Sequence, residues 1–182
     1  MGNLPNLLSF ARLLAVPVAV WLMLGGRFSA AFWLFAAAGA TDALDGFLAK
    51  RFGWQSELGS YLDPLADKAL LVSVFLVLGW TGHIPAWLAI MVVFRDLLIV
   101  GGALVVVAIT GTFRADPMFV SKLNTTLQIF LASAVLAELG LGLDISAWRW
   151  VLVDATALTT FASGLAYVVR WTRRLGQEQD AA

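Results

Sequence analysis

The chain has 182 residues, 60% of them hydrophobic and 13% charged, against about a quarter charged in a soluble domain, so it reads as an integral membrane protein with one domain over residues 1–182. Lysine plus arginine and aspartate plus glutamate both total 12, so net charge selects no partner, and no nucleic-acid partner is expected. Cysteine is absent and His83 is the single histidine, which excludes disulfides, thiolate sites and a histidine-rich metal centre.

Six apolar segments, each near the ~20 residues a bilayer requires, run over residues 4–25, 29–50, 60–80, 84–110, 118–140 and 147–172. They predict an all-α protein with six transmembrane helices. In the first segment no basic residue precedes the apolar run and Arg12 interrupts it, so it reads as a retained helix rather than a cleaved signal. Gly25-Gly26, Gly53, Thr81-Gly82, Gly111-Thr112 and the stretch from Gly140 to Ser146 punctuate the connections. Six spans put both termini on one side with the second and fourth connections. Lys50, Arg51, Arg114, Lys122, Arg170, Arg173 and Arg174 fall on that side, and only Arg27 and Arg149 on the other. That bias places the termini in the cytoplasm and the protein in the inner (cytoplasmic) membrane. Trp21, Trp33, Trp80, Trp87, Trp148 and Trp150 gather at the opposite ends, as an interfacial belt does.

The chemistry concentrates between Asp42 and Lys68. Asp42 and Asp45 are three apart, and Asp63 and Asp67 four apart, so each pair shares a helix face. The second segment ends where the third begins, so the two pairs are expected on antiparallel neighbours, facing each other. Four converging carboxylates repel in a low dielectric and require counter-charge. Two divalent cations supply it, and oxygen-only ligands select Mg²⁺ or Mn²⁺ over zinc. Such a pair suits a phosphoryl centre. Gly46 and Gly59 leave room for close approach of a nucleotide, Ala49 is small, and Lys50 and Arg51 add positive charge.

Asp42-x-x-Asp45-Gly46-x-x-Ala49 followed by Gly59-x-x-x-Asp63-x-x-x-Asp67 resembles the signature of the CDP-alcohol phosphotransferase family, with seven positions set over 26 residues. The family usually carries arginine where this chain has Lys50, which lacks the planar fork. The resemblance implies transfer of a phosphatidyl group from CDP-diacylglycerol to an alcohol, with release of CMP, by an active site at the cytoplasmic ends of helices 2 and 3. It further implies that Asp42, Asp45, Asp63 and Asp67 hold the metals and that Asp67 is the general base. Gly46, Ala49, Lys50 and Gly59 would then bind the nucleotide, and the enzyme would be a homodimer among membrane lipids. Residues 84–102 and 116–130 are similar to regions of eukaryotic-type cardiolipin synthases, and residues 4–18 also fit phosphatidylglycerophosphate synthases. The acceptor is accordingly expected to be phosphatidylglycerol, with glycerol 3-phosphate as the alternative. Arg12, Arg95, Lys122 and Arg51 would contact phosphate.

Blander readings stand beside these. The alternative for the aspartates is a cation or proton carrier, which does not require the glycines. Arg95 and Asp96, adjacent on a helix, are expected to point apart, and Arg95 reads equally as a structural charge that pairs with an Asp. Lys122 and Arg12 double as structural or snorkelling cations, and Lys68 as an interfacial one. Asp154 is expected to bond nearby threonines or water, His83 to be solvated, and Gly101-Gly102 to mark close helix packing. Arg170, Arg173 and Arg174 read as an anchor near anionic lipid.

Overall fold

The structure, a computed structural model, describes residues 4–52, 57–110 and 118–179, with side chains described for 10–42, 66–105 and 118–173. It is all helical: α1 (Leu4–Leu24), α2 (Phe28–Phe52), α3 (Glu57–Trp80), α4 (Ala86–Thr110), α5 (Phe119–Leu141) and α6 (Ser146–Gln179). Among the described residues, stretches of α4, α5 and α6 are long and apolar enough to cross a membrane, and Phe10–Leu24 of α1 is a shorter apolar run. The first three helices carry Arg12, Asp42 and the Asp67-Lys68 pair within their length, which breaks their hydropathy but not their helicity.

The helices close into a ring in the order α1, α2, α5, α6, α4, α3, and α3 then returns to α1. Among the described residues α1 thus lies between α2 and α3, which make at most marginal direct contact. The facing ends of α2 and α3, where hairpin neighbours would meet, lie outside the residues whose side chains are described.

One end of the ring is tightly built. Its three turns carry Gly26, Gly82 and Gly142 at φ near 70°, a left-handed conformation that side chains with a Cβ adopt poorly. Gly142 caps α5, its N–H donating to the Glu138 carbonyl at 3.1 Å. Phe75, Leu78, Leu88, Val92, Leu131 and Leu136 fill the centre of the ring. Lipid tails are as apolar as these side chains, so contact density rather than water exclusion holds such a bundle. Gly140 shows how close the helices come: a Cβ there would lie 2.6 Å from the backbone of Ser29 on α2. All six tryptophans of the expected belt are exposed at this end.

His83 is half-buried, not solvated. Its Nδ1 lies 2.7 Å from the Thr81 hydroxyl, and its ring meets Phe28 edge-on at 5.1 Å. Burial and the nearby Arg149 push its pKa below the usual 6.5. Arg149 pairs with Glu138 across the α5–α6 turn. Gly102 meets the expectation of close packing, since a Cβ there would fall 1.9 Å from the Trp171 ring, whereas Gly101 faces open space.

Candidate active site

The far half of the ring is where charge is buried. Asp42 lies ten residues before the end of α2 and Asp67 ten residues after the start of α3, so each sits about three turns inside its helix. Between them stands Arg12 of α1, 4% exposed. One terminal nitrogen, Nη1, is 3.0 Å from Asp42 Oδ1 and 2.5 Å from Asp67 Oδ1. Two carboxylates from different helices therefore converge on one cationic nitrogen, while their side chains stay 45% and 38% exposed.

A second group of charges adjoins the first through the chain itself. Lys68, next to Asp67, donates to Asp96 Oδ1 at 3.2 Å, and Arg95 Nη1 donates to the same oxygen at 2.6 Å. Arg95 Nη2 donates to the hydroxyls of Ser121 at 2.5 Å and Ser163 at 2.6 Å. The guanidinium thereby ties α4 to α5 and α6. This corrects the expectation that Arg95 and Asp96 point apart: the arginine arm is long enough to curl back round its own helix and meet the following carboxylate inside the ring. Lys68, read from sequence as an interfacial cation, joins this group. Its place is visible only once α3 and α4 are packed, because no helical spacing links residues 68 and 96.

The cations expected to form one basic pocket occupy three settings. Arg12 sits with the carboxylates, Arg95 sits in the serine-lined group, and Lys122 is exposed, its ammonium making no hydrogen bond or ion pair among the described residues. The side chains of Asp45, Gly46, Ala49, Lys50, Arg51, Gly59 and Asp63 lie outside the described residues. Among the described residues no three metal-ligating side chains form a cluster.

Sequence reasoning also missed a polar layer between α5 and α6. Asn124, Gln128, Thr156 and Thr160 are at most 1% exposed, and Asn124 Oδ1 accepts from the Thr159 and Thr160 hydroxyls at 3.0 and 2.8 Å. The signal was present as a four-residue spacing on each helix. Asp154 is exposed and, among the described residues, takes no hydrogen bond from those threonines, which leaves water of the two expected partners; Thr159 and Thr160 turn to Asn124.

The donor chemistry fits hard divalent cations. Asp42 and Asp67 offer carboxylate oxygens that already meet at one positive charge. Comparison with known proteins agrees with the signature. The CDP-alcohol phosphatidyltransferase family profile matches residues 2–162. The chain belongs to the CDP-alcohol phosphatidyltransferase family. It is 37% identical over 181 residues to the cardiolipin synthase (CMP-forming) of Rattus norvegicus, covering 91% of this chain and 60% of that protein. It is 35% identical over 187 residues to the chloroplastic CDP-diacylglycerol–glycerol-3-phosphate 3-phosphatidyltransferase 1 of Oryza sativa, covering 91% of this chain and 57% of that protein. A probable phosphatidylglycerophosphate synthase of Mycobacterium tuberculosis is 34% identical over 188 residues, covering 100% of this chain and 88% of its own. The chain thus spans under two thirds of the length of the rat and rice proteins. The two signature aspartates whose side chains are described, Asp42 and Asp67, both meet Arg12.

Proposed function

We propose that this chain is a single-domain, membrane-embedded phosphatidyltransferase of phospholipid synthesis that moves the phosphatidyl group of CDP-diacylglycerol to an alcohol. The convergence of Asp42 and Asp67 on one nitrogen carries the reading, because ionised carboxylates brought together inside a bundle require a cation between them. Two divalent ions, Mg²⁺ or Mn²⁺, held by Asp42, Asp45, Asp63 and Asp67, would supply positive charge to the donor's diphosphate and the departing CMP. Asp67 takes the proton of the acceptor hydroxyl as that oxygen attacks the phosphorus bearing the diacylglycerol. The bond from that phosphorus to the bridging oxygen breaks, and CMP leaves. Gly46, Ala49, Gly59 and Lys50 are assigned to the nucleotide, and Arg51 to a phosphate. Arg95, held by Asp96, Ser121 and Ser163, and Lys122 are assigned to the acceptor's phosphate. The site lies on the cytoplasmic side of six spans, and the enzyme works as a homodimer.

Phosphatidylglycerol is the proposed acceptor, giving cardiolipin. An open, shallow hollow lined by Met118, Ala162, Leu165, Ala166 and Val169 together with Arg170 and Arg173 combines apolar surface with cations, which suits a lipid acceptor. Its lining residues flank Ser121 and Ser163, the two partners of Arg95. Glycerol 3-phosphate is the second reading, favoured by the likeness to the rice glycerol-3-phosphate 3-phosphatidyltransferase and to the probable mycobacterial phosphatidylglycerophosphate synthase. The test is to incubate purified protein with CDP-diacylglycerol, Mg²⁺ or Mn²⁺, and each acceptor separately. The lipid product names the acceptor. Asp67→Asn is expected to abolish CMP release while still inserting and folding; wild-type turnover in that variant excludes the general-base role.

A further inference from the structure

Arg12 was expected beside the acceptor, yet it occupies the space between two of the proposed metal ligands. We propose that Arg12 is the resident cation of the carboxylate site. In the metal-free protein it holds Asp42 and Asp67 together, and a divalent ion enters only by displacing it from at least one of them. This rests on the metal reading above and adds a constraint that the reading does not contain: the site is built with an internal competitor for its own metal.

Three observations carry it. A single nitrogen serves both carboxylates, at 3.0 and 2.5 Å, so the positive charge stands where a bridging ion would stand. The arginine is 4% exposed while both carboxylate side chains are over a third exposed, so the cation comes from inside the bundle and the ligands open outward to an arriving ion. And α1 is the wedge that separates α2 from α3, so among the described residues the two ligand helices are connected chiefly through it. Without Arg12, two like charges would face each other with nothing between them, and metal would be required to hold the pair. With Arg12, the protein folds in the absence of metal and binds it more weakly.

The alternative role for the same geometry is organiser: Arg12 could aim the carboxylates so that metal binds better. The two roles differ in sign. Measure Mn²⁺ binding by loss of the free-ion electron paramagnetic resonance signal, on full-length protein in nanodiscs of neutral lipid, for wild type, Arg12→Met, Arg12→Lys and Asp67→Asn. Competition predicts that Arg12→Met binds Mn²⁺ about tenfold more tightly than wild type, the equivalent of one charge-assisted hydrogen bond no longer to be broken. It also predicts that metal-free Arg12→Met melts below wild type and that saturating Mn²⁺ restores it by a larger shift than wild type shows. Arg12→Lys keeps a positive charge but places it on a more flexible, more strongly hydrated head, so its affinity is expected between the two. It carries the test if Arg12→Met does not insert. Unchanged or weaker binding in Arg12→Met, or in Arg12→Lys where only that variant folds, overturns the competitor role. If wild type binds Mn²⁺ and Asp67→Asn does not, the metal reading survives that loss. If no variant binds Mn²⁺, both ideas fall together.

Discussion

Asp96 accepts from two cations, and the structure ranks them unequally. Arg95 and Asp96 side chains are 3% and 10% exposed, and Nη1 approaches Oδ1 to 2.6 Å. Lys68 reaches the same oxygen at 3.2 Å with 40% of its side chain exposed. Replacing Asp96 by leucine leaves the buried guanidinium with only the Ser121 and Ser163 hydroxyls. Removing one partner of a buried pair costs about 3–5 kcal/mol. Lys68→Met removes a bridge that is well screened by its surroundings, worth under about 1 kcal/mol. For a chain of this size the first change corresponds to a melting point lower by roughly 6–20 °C, and the second to a drop of at most about 4 °C. Arg95→Leu combined with Asp96→Leu removes both charges and should recover most of the loss, because a buried pair replaced whole is near neutral. Fluorescence-detected size-exclusion after heating, in one detergent, reads all four proteins. Equal losses for Asp96→Leu and Lys68→Met, or a double variant no better than Asp96→Leu, would falsify the picture of Asp96 as the counter-charge of a buried arginine.

Gly140→Ala should lower the melting point more than Gly102→Ala, by an overpacking cost of about 1–3 kcal/mol, although the nominal clash at Gly102 is the closer one. The atoms facing Gly140 belong to the Ser29 backbone, whereas those facing Gly102 are the tip of the Trp171 ring, which can swing. For His83 the folded pKa lies below the ordinary value, so on acidification the unfolded chain takes up a proton before the folded one does. Stability contributed by neutral His83 is therefore complete above the unfolded value of 6.5 and is lost as pH falls below it. His83→Gln is expected to flatten that part of the melting-point-against-pH curve, and an unchanged slope excludes His83 as its source.

Helix positions were legible because hydropathy and turn residues report the same boundaries. The expected segments end within a few residues of the observed helices at most boundaries. The exception is α6, which continues to Gln179 rather than stopping near 172. After Trp171 the sequence becomes polar, and hydropathy stops, but residues such as Arg173, Gln177 and Glu178 remain good helix formers. Helix formation and bilayer crossing are separate properties, and an apolar window measures only the second. The same distinction explains α1, α2 and α3: Arg12, Asp42, Asp67 and Lys68 interrupt the apolar pattern, yet the backbone bonds of a helix are satisfied within it whatever the side chain.

What the sequence left hidden was pairing between helices far apart along the chain. The spacing within Asp42-Asp45 and within Asp63-Asp67 assigned each pair to one helix, because periodicity acts within helices. No periodic rule relates Arg12 to Asp67 or Lys68 to Asp96; both pairings follow from the ring order, in which α1 separates α2 from α3 and α4 adjoins α3. Charge balance narrows the choice. Each buried or half-buried cation of this half that carries a described ion pair meets a carboxylate from another helix or its own, as the cost of an isolated charge in a low dielectric demands. Lys122 has no such partner among the described residues and is the exposed one. An exposed lysine is solvated or meets a headgroup at little cost, whereas the Nη1 of buried Arg12 is already engaged by two carboxylates.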